Sequence, residues 1–365
     1  MILKRLKAEN YRNIPSCNVS FEKGVNLLVG ENAQGKTNAV ECIYTFARGK
    51  SFRGTPDQHL VRHGEDGFFA EIAFEDAKRE QTLSYAFEAG SRKRMRNGIP
   101  LKKQSEMLGH FRAVLFFPEH LQIVKAGPSE RREFLNVAIA QNDPVYIGWH
   151  ADYNRVLENR NILLKNAQKG LYCEKEELDA WSDRMADLAA KIYMRRRAYV
   201  EGLSGYAKTI LGDISLGRER MDLTYLADVT ADSEAEAYLA YQKLLREDYR
   251  RETAAGFSLF GIHRDDLQLD VNGISAREYG SQGQQRSCVL ALKMAEGEYS
   301  RRLTGEYPVF LFDDVLSELD DKRRSYVLGD IGERQFILTA CEKIPERNGY
   351  HEIRVEDGRY VSAHR

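Results

Sequence analysis

Short apolar runs near both ends of the chain flank a long middle stretch of helical periodicity. Val25-Asn26-Leu27-Leu28-Val29 is closed by Gly30, and residues 37–46 that follow have helical composition. An apolar run of that length without alternation predicts a strand buried on both faces, as in a parallel sheet. Further strand-length runs stand at Phe68–Ile72 and Leu83–Phe87. From about Glu119 to Gly256 glycine and proline thin out. There Leu178, Trp181, Met185, Leu188 and Ile192 recur at spacings of three and four, a stripe on one face of a helix. The stripe lapses at Arg195-Arg196-Arg197, so any coiled coil is short, and helices packing within their own lobe are the simpler expectation. After Gly256 the strand pattern returns in Val309-Phe310-Leu311-Phe312 and Phe336-Ile337-Leu338-Thr339. Each run ends in polar residues, where the crevice of an open parallel sheet receives its ligand. The pattern predicts an α/β fold: a sheet lobe with a mixed sheet from residues 1–118 and 257–365, interrupted by a helical lobe over 119–256.

Composition narrows the setting. The net charge is -1, so a polyanionic partner would have to be met by local basic patches. The five cysteines, Cys17, Cys42, Cys173, Cys288 and Cys341, form no CxxC pair and lie near no metal-spaced histidine. An odd count of such thiols fits a reducing compartment. No apolar run approaches the ~20 residues of a membrane helix, and the first ten residues lack the apolar core of a signal peptide. A soluble, cytoplasmic protein is the expectation, with no membrane partner.

Gly30-Glu31-Asn32-Ala33-Gln34-Gly35-Lys36-Thr37 lies between the first buried strand and a helix. G-x-x-x-x-G-K-T in that context is a phosphate nest, in which backbone N–H groups and a helix N-terminus face an anion. Lys36 would reach the β- and γ-phosphates and Thr37 would ligate Mg²⁺. Asp313 and Asp314 follow a four-residue apolar strand. Alone they read as a turn or a helix cap. Beside a P-loop they read as a Walker B pair, Asp313 on the metal and Asp314 on the attacking water.

Ser281-Gln282-Gly283-Gln284-Gln285 opens a helical stretch from Arg286 to about Arg301. A hydroxyl, a close-approach glycine and a helix N-terminus make a second phosphate-binding device, although such a segment in isolation is a polar helix cap. Placed just before the Walker B strand, it makes the chain resemble ABC ATPases, in which Ser281 and Gly283 would meet the γ-phosphate held by another subunit. Leu316-Ser317-Glu318-Leu319-Asp320 matches the D-loop of that class.

In finer detail the chain resembles the RecF family of SMC-related ABC ATPases over nearly its whole length. The residues that carry the likeness are Asn10-Tyr11-Arg12-Asn13, the P-loop with Asn38, Lys50-Ser51-Phe52-Arg53, Arg131–Leu135, Gly261–Leu267 and Ser281–Arg286. The resemblance implies an ATP-dependent homodimer that binds gapped, single-stranded and duplex-junction DNA and promotes recombinase loading. It implies RecR- and RecO-type partners, slow hydrolysis as a timer, and Arg12 among the nucleotide contacts. The Walker B position that usually carries glutamate is Asp314, one methylene shorter, and Thr339 stands where a switch histidine is usual; Glu119 and Gln122 compete for the Q-loop role.

For DNA, Arg92, Lys93, Arg94 and Arg96 precede an Asn97-Gly98 hairpin signal, and Lys102 and Lys103 follow. Such a ribbon neutralises phosphates without reading sequence, or is a solvated hairpin. Arg195–Arg197 is a weaker basic patch, and His263-Arg264-Asp265-Asp266 reads as architectural. The alternative reading of the whole chain is the nucleotide-binding subunit of an ABC transporter.

Overall fold

The computed structural model describes residues 1–171, 174–329, 331–342 and 349–362, and Cys173 lies outside them. The chain forms two compact units, one of residues 1–121, 209–219 and 286–365 and the other of 122–208 and 220–285.

The first unit carries two sheets. The strands β1 (Ile2–Tyr11), β2 (Ile14–Ser20), β3 (Val25–Val29), β4 (Gly67–Glu75), β5 (Glu80–Glu88), β6 (Ser91–Arg96), β7 (Ile99–Leu101) and β8 (Ala113–Phe116) all precede residue 121. Six of them pair antiparallel in the order β2-β1-β4-β5-β6-β7. Alternate residues such as Ala70, Ile72 and Phe74 are buried, which is the period-2 pattern of a sheet with one covered face. Helix α1 (Lys36–Arg48) touches both sheets, through β1 and β4 on one side and β8 and β13 on the other. Its apolar residues therefore surround it: Ala39, Val40, Ile43 and Phe46 are all fully buried.

In the second unit α2 (Gln122–Lys125), α3 (Pro128–Asn142) and α4 (Pro144–Gln168) lead to α5 (Lys175–Ser215), whose last residues cross into the first unit. Strand β9 (Met221–Leu226), α6 (Glu234–Glu247), α7 (Tyr249–Ala255), β10 (Asp266–Val271), β11 (Ile274–Ser275) and α8 (Ala276–Tyr279) complete it, and α9 (Gln282–Thr304) returns the chain to the first unit. The expected boundary after Gly256 thus falls inside this unit. The reason is a long-range pairing that local pattern does not show: β9 lies antiparallel to β10, Met221 opposite Val271.

The apolar stripe on α5 does not end at the three arginines. Arg196 occupies the next position after Ile192, is 1% exposed, and is followed on the same face by Tyr199 and Leu203. Its guanidinium is neutralised by Asp265 at 3.0 Å, which lets a cation fill a core position. Arg195 pairs with Asp143 and Arg197 with Glu201 and Asp232, so the triplet is a structural face of this helix.

The remaining elements, β12 (Val309–Phe312), α10 (Asp321–Gly329), β13 (Gln335–Ala340), β14 (His351–Glu356) and β15 (Arg359–Ser362), finish the first unit's second sheet. Its order is β15-β14-β3-β13-β12-β8. All neighbours are parallel except the β14–β15 hairpin, which makes it the mixed sheet the sequence predicts. Every residue of β8 and β12 is buried, as expected for strands covered on both faces. No helix among the described residues is long and apolar enough to cross a membrane.

Candidate nucleotide site

The strand order decides what meets at the sheet's edge. β13 lies between β3, which feeds the P-loop, and β12, which ends in the aspartate pair. Parallel strands end on the same edge, so Lys36 and Thr37, Asp313 and Asp314, and Thr339 converge although 276 positions separate Thr37 from Asp313.

The loop needs its glycines. A Cβ on Gly30 would lie 2.2 Å from the Val355 carbonyl oxygen, and Gly35 has φ +113° with Asn13 Oδ1 2.7 Å from its missing Cβ. Ala33 also takes a left-handed conformation, φ 66°. Lys36 Nζ donates to the carbonyls of Gly30 at 2.6 Å and Glu31 at 2.8 Å, which curls the ammonium back over the loop. Asn32 accepts from the Cys341 thiol at 3.0 Å.

Thr37 Oγ1 donates to Asp313 Oδ1 at 3.1 Å, and Thr339 Oγ1 donates to the same oxygen at 2.9 Å. The Asp314 N–H in turn donates to Thr339 Oγ1 at 2.8 Å. Thr339 therefore works as a bracket that fixes both aspartates. Asp313 is 5% exposed, and burial pushes its pKa up against the two hydroxyls and the Arg53 charge, which lower it. Asp314 is exposed and sits at φ 57°, a left-handed position that Asp tolerates better than most residues.

Arg12 does not face open space. Its guanidinium grips the fully buried Glu41 through two bonds of 3.0 and 2.9 Å and also donates to Thr55 Oγ1 and the His59 carbonyl. A bidentate pair of this kind anchors the segment after α1. Arg53 stands outside the phosphate-binding motifs, yet its charge bears on Asp313, and it donates to Asn38 Oδ1 at 3.3 Å. The signal for it in the sequence is its place in Lys50-Ser51-Phe52-Arg53.

Ser281 and Gly283 belong to the second unit, and the P-loop and aspartate pair to the first. Ser281 Oγ accepts from the Gln284 N–H at 3.2 Å while Gln284 Oε1 accepts from the Ser281 N–H at 2.9 Å. That reciprocal pair is a capping box, so within one chain the segment caps α9. Of the two Q-loop candidates, Glu119 lies in a short 3-10 turn and Gln122 begins α2, and both are exposed.

The basic ribbon is split by its pleat. Asn97 and Gly98 take φ 51° and 77°, the type I′ turn expected of Asn-Gly. Arg92, Arg94 and Arg96 stand opposite Phe87, Tyr85 and Leu83. Arg92 pairs with Asp57 at 2.5 Å, Arg94 lies 4.6 Å from the Tyr85 ring centroid, and Arg96 bonds His110 at 2.7 Å. Lys93 points to the other face and is exposed. Successive residues of a strand alternate sides, so the four basic residues divide between the two faces of the ribbon.

The fold and this edge define an ATPase head of the ABC class. The family model for the RecF/RecN/SMC N terminal domain matches residues 2–355. DNA replication and repair protein RecF of Clostridium acetobutylicum is 34% identical over 365 residues, covering 98% of this chain and 99% of that one. The RecF of Staphylococcus aureus is 39% identical over 337 residues, covering 91% and 90%. The structure of the recombination mediator protein RecF-ATP in the RecFOR pathway superimposes with a TM-score of 0.92 at 34% identity, covering 100% of this chain and 98% of that one. An Smc head domain from Pyrococcus furiosus shares the fold, with a TM-score of 0.58 at 17% identity, covering 99% of this chain and 96% of that one. The chain belongs to the RecF family.

Proposed function

We propose that this chain is a nucleotide-switched DNA clamp of replication and recombinational repair. Lys36 and the P-loop N–H groups of one copy hold the phosphates of ATP, and Ser281 and Gly283 of a second copy close over the γ-phosphate. Two copies then form a dimer with two sites that grips gapped, single-stranded or duplex-junction DNA. The observation that carries this reading is the meeting of Thr37 and Asp313 at 3.1 Å across 276 positions of sequence. The solved RecF-ATP structure supports the same ligand.

Two hard oxygens so close fit Mg²⁺, which binds one or two protein oxygens together with substrate phosphates. Among the described residues no group of three or more His, Cys, Asp or Glu offers an all-protein metal cage, which is consistent with that arrangement. When bound, Mg²⁺ would neutralise charge on the β- and γ-phosphate oxygens. Asp314, held by Thr339, orients the attacking water. Its short side chain and the absence of a titrating base at residue 339 suit slow hydrolysis that serves as the release step. Arg12 contributes by setting the segment that carries Arg53.

The clamp would promote recombinase loading with RecR- and RecO-type partners, as the RecFOR setting of the solved relatives suggests. In the ribbon the exposed Lys93 touches DNA phosphate, with Arg92, Arg94 and Arg96 in support.

The test is light scattering with saturating ATP and Mg²⁺, run beside binding to gapped, duplex and single-stranded DNA with ATP, ADP or no nucleotide. A dimer formed only with ATP, binding gapped DNA more tightly than with ADP, is expected. A chain that remains monomeric with ATP sinks the clamp. Lys93→Glu should weaken DNA binding a few-fold at low salt and leave ATP affinity unchanged.

A further inference from the structure

We propose that the C-terminal hairpin presets the P-loop for phosphate, with Tyr360 as its positioning residue. The inference rests on the nucleotide reading above and adds residues far from the P-loop in sequence. β14 runs parallel to β3, with His351 opposite Asn26 and Arg354 opposite Val29, so the chain that follows β14 passes the loop that β3 feeds. Its two-residue turn, Asp357-Gly358, has φ 48° and 72°, a type I′ geometry. The N–H groups of the two central residues of such a turn stand outside the strand ladder. Here both are donated to one P-loop residue: Asp357 N–H to Gln34 Oε1 at 2.5 Å and Gly358 N–H to the Gln34 carbonyl at 2.9 Å. Two residues further on, Tyr360 Oη donates to the Gly35 carbonyl at 2.8 Å. Burial pushes the Tyr360 pKa well above its ordinary value, so the hydroxyl is a donor at any working pH. From the N-terminal side Asn13 Nδ2 donates to the Ala33 carbonyl at 3.2 Å.

Three successive carbonyls of the loop, those of Ala33, Gln34 and Gly35, are thus tied to Asn13, Gly358 and Tyr360. A planar trans peptide directs its N–H opposite to its C=O. Tying these carbonyls outward turns the N–H groups of Gln34, Gly35 and Lys36 the other way, into the concavity where a phosphate nest forms. The left-handed conformation at Ala33 costs energy, and these anchors hold it before any ligand arrives. The hairpin is therefore part of the nucleotide site's affinity, although none of its residues needs to touch the nucleotide.

The experiment is calorimetric titration of wild type, Tyr360→Phe and Arg359→Ala with Mg·ATP and, separately, with inorganic tripolyphosphate. Arg359 is an exposed residue of the same strand and serves as the control. Tyr360→Phe should weaken both probes by the same factor, about tenfold, the scale of one lost hydrogen bond, while Arg359→Ala binds as wild type. In hydrolysis assays the variant's KM should rise by a similar factor with kcat within about twofold, a split that general destabilisation would not give. Should Tyr360→Phe not fold, Asn13→Ala, which frees the Ala33 carbonyl, is read the same way. Wild-type affinity of the variant for both probes overturns the clasp and leaves the nucleotide reading intact. Loss of ATP affinity alone, with tripolyphosphate unchanged, also overturns it by making Tyr360 a contact to base or sugar. If wild type binds neither probe, the nucleotide reading falls and the clasp with it.

Discussion

Two aspartate pairs in this chain look alike in sequence and differ in kind. Asp313-Asp314 closes β12 in the first unit, and Asp265-Asp266 opens β10 in the second. In both, the leading carboxylate is buried and its pKa is raised by that burial, Asp265 to about 6. What surrounds them differs. Asp265 is met by the Arg196 guanidinium at 3.0 Å and by the Tyr225 hydroxyl, and Asp266 by Arg131 in two bonds. Each carboxylate of the second pair has its own arginine, so the charge is balanced inside the unit. Asp313 instead meets the hydroxyls of Thr37 and Thr339, and Asp314 is exposed. That pair keeps less balanced charge at a sheet edge, which suits the Mg²⁺ role proposed for it. Charge balance, rather than the Asp-Asp dipeptide, separates the two pairs.

The same contrast extends to His263. Its Nδ1 accepts from Tyr153 Oη at 2.8 Å and its Nε2–H donates to the Ser258 carbonyl at 3.2 Å. Burial lowers its pKa to about 4, so it is a neutral, satisfied core group. The His-Arg-Asp-Asp run is accordingly structural.

Of the substitutions at these sites, those in the balanced pair should have the largest effect. Arg196→Ala leaves Asp265 buried without its cation and should cost about 3–5 kcal/mol of unfolding free energy, read by denaturant melts. A loss below about 1 kcal/mol would mean that the pair does not hold the core. On the less balanced side, Lys36→Met should weaken ATP binding at least ~100-fold, about 2.7 kcal/mol, with the melting temperature nearly unchanged. Retention of ATP affinity would remove the P-loop assignment.

The stability that His263 contributes depends on pH. Its folded pKa of about 4 lies below the ordinary 6.5, so the unfolded chain takes up the proton first on acidification. Its contribution is complete above pH ~6.5 and is lost as pH falls through about 4. Relative to His263→Gln, wild type should lose on the order of 2–3 kcal/mol across that window, while Asp265 titrates in both proteins and cancels in the difference. A pH-independent difference would show that the imidazole is charged in the fold. The smallest expected effect is that of Thr339→Val, which removes the bracket from Asp313 and the Asp314 N–H. Steady-state hydrolysis should fall about tenfold, with ATP affinity within about threefold. An unchanged kcat would mean that Thr339 positions nothing that matters to the reaction.

Much of this molecule is legible in its local chemistry. The P-loop, the strand-borne aspartates and the Asn97-Gly98 turn are each written in a few consecutive residues, because glycine, β-branched runs and Asn-Gly constrain the backbone wherever they stand. Val25–Val29 and Val309–Phe312 announce interior strands for the same reason: a run without alternation must be covered on both faces. The arginines at 195–197 and 92–96 are legible only as charge, because a side chain's partner is set by whatever the fold lays across from it. Pairing β9 with β10 moves the unit boundary. The order β3-β13-β12 places Thr339 between the two Walker elements and makes it a bracket. The return of β14 beside β3 brings Tyr360 and the Asp357-Gly358 turn to Gln34 and Gly35. Residue type and near-neighbour backbone alone set which groups could hold a phosphate. Which carboxylates are balanced and which carbonyls are tied back was settled by the fold, because both depend on partners brought in from elsewhere in the chain, 69 positions away for Arg196 and Asp265 and 323 for Asp357 and Gln34, that no local pattern encodes.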